Sequence, residues 1–138
     1  MTRPLKYNAD QRREYLFMID RIGRQWLDVF EGNTEFYSAV YWDLLTGIWK
    51  RGGEVRKTDA AKLMVGVKST QTASKYVDQA IERGILLERE NPKDARSRLV
   101  YLTPDMRERL DAFFDQAVDE LRQAAARVEE KDTAPVES

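Results

Sequence analysis

The chain contains neither cysteine nor histidine. Those two absences remove disulfides, thiol redox sensing, cysteine nucleophiles, imidazole acid–base chemistry and the common zinc sites. Proline (4 of 138 residues) and glycine (7) are scarce, so the composition is neither collagen-like nor of low complexity. No apolar run approaches the roughly 20 residues that span a bilayer. The opening stretch MTRPLKYNADQRREY has no apolar signal core, which leads to the expectation of a cytoplasmic protein. Charge of one sign is also lacking overall: 23 Lys and Arg face 24 Asp and Glu, a net charge of −1.

A length of 138 residues suits one domain with an added oligomerisation element. Apolar residues at 42% suffice for a core, and charged residues at 34% solvate the surface. The near-neutral total hides an asymmetry. Between Arg51 and Thr103 there are 11 basic and 7 acidic residues, a net of +4, which leaves 12 basic and 17 acidic elsewhere, a net of −5. A basic middle with acidic flanks is an expected footprint of a phosphate-binding surface.

Three segments carry helical periodicity. Tyr15, Ile19, Ile22, Trp26, Val29 and Phe30 recur at three- and four-residue steps up to Gly32. A second helix is expected from Thr34 as N-cap, with Phe36, Val40, Tyr41, Leu44, Leu45 and Ile48 on one face and Gly52-Gly53 as its stop. The last starts at TPDMRERL, with Thr103 as N-cap and Pro104 at the first helical position. Its stripe is Met106, Leu110, Phe113, Phe114, Ala117, Leu121, Ala125 and Val128. Between these lie a short helix capped by Thr58 and a second starting at Ser69 or Thr70 and stopped by Gly84. The strands ILLERE and SRLVYL follow, joined through NPKDAR as a hairpin.

Two short helices followed at once by a hairpin form a winged helix-turn-helix arrangement. An α-helix fits the major groove, where its solvent side can meet base edges, and the hairpin beside it reaches phosphates or the minor groove. In STQTASKYVDQAIERG the residues Ala73, Val77, Ala80 and Ile81 make the apolar stripe. Gln71, Ser74, Lys75 and Asp78 fall opposite, with Thr70 and Thr72 near the N-terminus. Hydroxyls, Gln and free backbone N–H groups at a helix start suit phosphate and base contact. An ordinary amphipathic helix also has a polar face, so the attached wing carries much of this reading.

The run GILLERENPKDARSRLVYLTP resembles the wing of the multiple antibiotic resistance regulator (MarR) family. Gly84, Arg89, Pro92, Asp94, Arg96, Leu102 and Thr103 fall on matching positions. The match is specific over residues 58 to 110, and the flanking helices agree in pattern only. The chain departs from the family pattern at Asn91, where Asp is usual, at Ala95, where a basic residue is usual, and at Met106, where Gly is frequent.

The resemblance implies a mainly α fold with a small β-hairpin wing. Residues 1–53 would hold N-terminal dimerisation helices, 54–103 the DNA-binding lobe, 104–130 a C-terminal dimerisation helix and 131–138 a flexible tail. It implies a homodimer on a palindromic operator in double-stranded DNA, in a bacterial or archaeal cytoplasm at the nucleoid, acting as a repressor and released by a small anionic aromatic effector. Lys68, Ser69, Thr70, Gln71, Thr72, Ser74, Lys75, Lys93, Arg96 and Arg98 are the expected DNA contacts. Asp94 is expected to brace Arg96 or Arg98. Trp26, Tyr41 and Trp49 are candidates to line an effector pocket, although aromatics at helical spacing are more often core.

Other signals point away from catalysis. Asp111, Asp115, Asp119 and Glu120 share one side of the last helix and read as a solvated face rather than a metal or acid–base site. Gly52-Gly53 lacks the Gly-Lys-Ser/Thr of a phosphate loop. No enzyme activity and no cofactor are expected. Two further readings stay open: a winged helix used for protein interaction or assembly, and architectural or replication-associated DNA binding.

Overall fold

The computed structural model describes residues 3–132. Apart from its first two residues, the tail expected at 131–138 lies outside the described residues. The elements are α1 (Ala9–Val29), a 3-10 turn (Thr34–Phe36), α2 (Ala39–Lys50), β1 (Glu54–Arg56), α3 (Lys57–Lys62), α4 (Thr70–Glu82), β2 (Leu86–Glu90), β3 (Arg98–Leu102) and α5 (Pro104–Glu130). This is a mainly helical winged fold with a small antiparallel sheet. Two compact units divide it: residues up to Gly32 with those from Asp111 onward, and Asn33–Leu110. Helix α2, grouped by sequence with the N-terminal segment, falls in the winged unit.

In the winged unit the sheet has three strands, in the order β1-β3-β2, where the sequence pattern predicts two. Strand β1 pairs with β3 through Val55 opposite Val100, and β2 pairs with β3 from Leu86–Leu102 to Glu90–Arg98. A three-residue strand with one buried residue between Glu54 and Arg56 carries almost no alternation signal. Leu44, Leu45, Ile48, Val77, Ala80, Leu86, Val100 and Leu110 are buried to the last atom. Truncating Leu44 to Ala there costs about 2–5 kcal/mol.

Two helix starts differ from expectation. The second helix is broken: Asn33 caps the 3-10 turn, and Ser38 caps α2, its Oγ accepting from the Tyr41 N–H at 3.3 Å. Helix α3 begins at Lys57 with Arg56 at its cap position, so Thr58 lies inside the first turn. Helices α4 and α5 begin where the capping residues Ser69 and Thr103 place them, their hydroxyls accepting from Thr72 and Met106.

In the other unit, α1 opens with a capping box between Asn8 and Gln11. The same polar residues hold the C-terminal turn of α5. Asn8 Nδ2 donates to the Lys131 carbonyl at 2.8 Å, and Gln11 Nε2 donates to that of Val128 at 3.1 Å. Glu14 accepts from Arg127 at 2.8 Å and pairs with Lys131 at 3.0 Å. Hydrogen bonds from Lys131 first and Arg127 second hold its carboxyl below the ordinary range, although burial opposes this. The inward face of α1 is therefore Gln11, Glu14, Met18, Trp26 and Val29, while Tyr15 and Ile19 of the expected stripe are exposed. On α5, Ala124 is buried and Leu121 exposed.

Candidate nucleic-acid interface

Helix α4 presents two chemically distinct faces. Ala73, Val77 and Ala80 are buried, whereas Thr70, Gln71, Thr72, Ser74, Lys75 and Asp78 are exposed. Lys68 and Ser69, just before the helix, are also exposed. A concavity of about 450 Å³ beside the helix start is lined by Thr58, Lys62, Lys68, Ser69, Thr70 and Ser74 among others. The first N–H groups of a helix have no intrahelical acceptor, so this end carries partial positive charge.

The wing tip is organised by short polar side chains. Asn91 Nδ2 donates to Ser97 Oγ at 2.8 Å, closing the hairpin, and Asn91 Oδ1 accepts from the Lys93 N–H at 3.0 Å. Asp94 Oδ1 accepts from the Arg96 N–H at 3.1 Å, while the Arg96 guanidinium stands 3.7 Å away with its side chain 95% exposed. Asp94 thus holds the backbone of Arg96. Arg98 turns elsewhere and meets Glu88 at 3.2 Å.

The lobe's cations divide into paired and unpaired sets. Arg56 meets Asp59, Arg83 meets Glu35 and Arg89 meets Glu54 at 3.0, 3.3 and 2.6 Å. Lys57 Nζ lies 2.8 Å from Asp78 and 3.1 Å from Glu88. Among the described residues, Lys68, Lys75 and Lys93 have no carboxylate within ion-pair distance. Burial disfavours the charges of Lys57 and Glu88, but their mutual hydrogen bond, with Asp78 and Arg98, outweighs it. The Lys57 pKa is raised and the Glu88 pKa lowered. Sequence patterns single out neither residue, because the pair is 31 positions apart.

The three aromatic candidates for an effector pocket are placed differently. Trp26 is 3% exposed and meets Phe30 and Phe113 edge-on, within the unit of α1. Tyr41 is 2% exposed in the winged unit, edge-on to Phe36 and Tyr76. Its hydroxyl has no hydrogen-bond partner, and burial pushes its pKa up to about 12. Trp49 is half-buried on α2. A separate apolar cleft of about 510 Å³, within the first unit, is lined by Tyr7, Gln11, Arg12, Tyr15, Leu16 and Val128. Among the described residues no group of acidic side chains could hold a metal ion, and no helix is long and apolar enough to cross a membrane.

No protein-family model matches the chain, and no curated protein matches it by sequence. Solved structures do match. A transcriptional regulator from Thermotoga maritima is similar at a TM-score of 0.59 and 23% identity, over 83% of this chain and 75% of that one. A Mycobacterium tuberculosis protein is similar at 0.57 and 19%, over 97% and 87%. A MarR family transcriptional regulator from Streptomyces coelicolor, solved in complex with DNA, is similar at 0.53 and 22%, over 90% and 78%. The fold of this chain is that of MarR-type winged-helix regulators.

Proposed function

We propose that the protein is a sequence-specific regulator of transcription that binds double-stranded DNA as a homodimer on a palindromic operator, most simply as a repressor. The observation that carries this reading is the placement of unpaired positive charge. Lys68 and Lys75 flank the exposed start of α4 and Lys93 stands at the wing tip without a carboxylate partner, Arg96 and Lys62 have only distant ones at 3.7 and 3.9 Å, and the remaining cations of the lobe are held more closely. Gln71 has the geometry for bidentate contact with adenine and Lys75 suits guanine. Ser69, Thr70, Thr72 and Ser74 offer hydroxyls to phosphate. Arg98, satisfied by Glu88, contributes least among the expected contacts.

The dimer rests on a second observation. Leu5, Tyr7, Tyr15, Leu16, Phe17, Ile19, Val118 and Leu121 are large and exposed, and all belong to the unit of α1 and the C-terminal part of α5. Clustered apolar exposure of this kind marks an interaction surface. A second copy covering it would bring two basic lobes to one operator. The reading places the protein at the nucleoid of a bacterial or archaeal cytoplasm. A small-molecule effector belongs to it as an expectation, to be sought by ligand-dependent release from DNA.

A mobility-shift selection against genomic fragments tests the reading. A protein-interaction module would retard none at moderate salt, and an architectural binder would retard all alike. On the operator so found, Arg96→Ala is expected to weaken binding by about 1–3 kcal/mol and reduce the salt slope by about one. Unchanged affinity and slope would take the wing out of the interface.

A further inference from the structure

Four side chains from four segments of the winged unit form one line of ion pairs. Asp78 of α4 meets Lys57 at 2.8 Å, Lys57 meets Glu88 of β2 at 3.1 Å, and Glu88 meets Arg98 of β3 at 3.2 Å. Lys57 stands at the junction of β1 and α3 and touches both the helix that faces DNA and the base of the wing. Its side chain is 29% exposed and that of Glu88 is 24%, so water screens this pair less than the surface pairs around it. Two cations and two carboxylates cancel, which leaves the line neutral.

Two consequences follow. Asp78 shares its face of α4 with Gln71, Ser74 and Lys75, where an unpaired carboxylate would repel phosphate; Lys57 offsets that charge. The second is mechanical. Strand β2 is joined to α4 on its apolar side by the backbone bond from the Ile85 N–H to the Ala80 carbonyl, and Lys57 adds a second link on the polar side through two directed hydrogen bonds. We infer that Lys57 is a positioning residue for DNA recognition, fixing the wing against α4 so that backbone contact by one and base reading by the other fall on the same stretch of duplex. This inference rests on the DNA-binding reading above and goes beyond it by separating cations that touch DNA from one that aligns them.

The test uses the full chain, an operator fragment and a random duplex of equal length, each titrated over a range of salt. Lys57→Met is expected to weaken operator binding about tenfold and random-duplex binding by no more than about threefold, the latter from the Asp78 charge it uncovers. The salt slope should not change, because no phosphate contact is lost. Lys57→Arg should recover most of the loss. Glu88→Gln frees Arg98 and leaves Lys57 held by Asp78 alone, so it should strengthen random binding while lowering the operator-to-random ratio. Equal losses on both duplexes with a slope lower by about one would make Lys57 an ordinary phosphate contact and overturn the inference. A folded Lys57→Met protein with an unchanged ratio would overturn it as well. If circular dichroism shows that variant unfolded, Glu88→Gln decides, and a ratio that holds or rises overturns the inference. Failure of the unaltered chain to retard any DNA is a different result: it removes the DNA reading, and this inference with it.

Discussion

The two units leave different things unsatisfied. Among the described residues, the unit of α1 and the C-terminal part of α5 exposes eight of the twelve large exposed hydrophobic side chains, and it buries Asn8, Gln11 and Glu14. The winged unit does the reverse: its interior is apolar apart from Thr46 and the Tyr41 hydroxyl, and the charges it leaves unmet at the surface include cations at the start of α4 and the tip of the wing. In the first unit, polar side chains fasten one helix end to another, which frees apolar surface for a partner. In the second, apolar side chains make the core and charge is left for a polyanion. The same amphipathic vocabulary thus leaves apolar surface exposed in one place and positive charge in the other, which is what the proposed dimer and DNA contacts require.

The contrast can be broken most strongly at the apolar face. Leu16→Glu places a carboxylate in the surface lined by Tyr7, Tyr15 and Val128 and is expected to weaken self-association by about 2–4 kcal/mol, read as dimer-to-monomer conversion by light scattering. A variant that stays dimeric at every concentration would take Leu16 out of the interface. A smaller effect sharpens the other side of the contrast. Lys75→Ala should cost about 1–2 kcal/mol of operator affinity, whereas Arg83→Ala, which removes a cation held by Glu35, should leave it unchanged. Equal effects would mean that pairing does not sort the cations.

The smallest effect concerns the polar clamp. The Glu14 pKa in the folded chain lies below its ordinary 4.5, so its ionised form stabilises the fold above that value. That contribution is lost as pH falls through the lower folded value. Glu14→Gln should therefore lower the melting temperature by a constant amount near neutral pH, and the gap should close below about pH 4.5. A gap that persists unchanged into acid would assign the effect to packing.

Much of this was legible in the residues. Thr103-Pro104 and Ser69 announce helix starts because capping is local chemistry, and Gly84 marks the end of α4 with a φ of 74°. The wing was legible because Asn91, Pro92 and Asp94 bend a chain by contacts within a few residues. What escaped depends on distant partners. Strand β1 exists because β3 offers it an edge. Tyr15 and Ile19 fit an apolar stripe, yet face outward because Asn8, Gln11 and Glu14 find carbonyls and cations more than a hundred positions away. Lys57 and Glu88 escaped for the same reason, as did the withdrawal of Arg98 from the free cations.

The salt dependence of operator binding by the unaltered chain tests the central claim most directly. The four cations of the proposed helix-start and wing-tip contacts in each protomer, Lys68, Lys75, Lys93 and Arg96, become eight in a dimer. If all met phosphate, the slope of log affinity against log salt would approach about −7, and any that read bases instead would make it shallower. The account predicts a steep negative slope, together with affinity for the operator well above that for random duplex. A slope near zero, or equal affinity for the two duplexes, would contradict it.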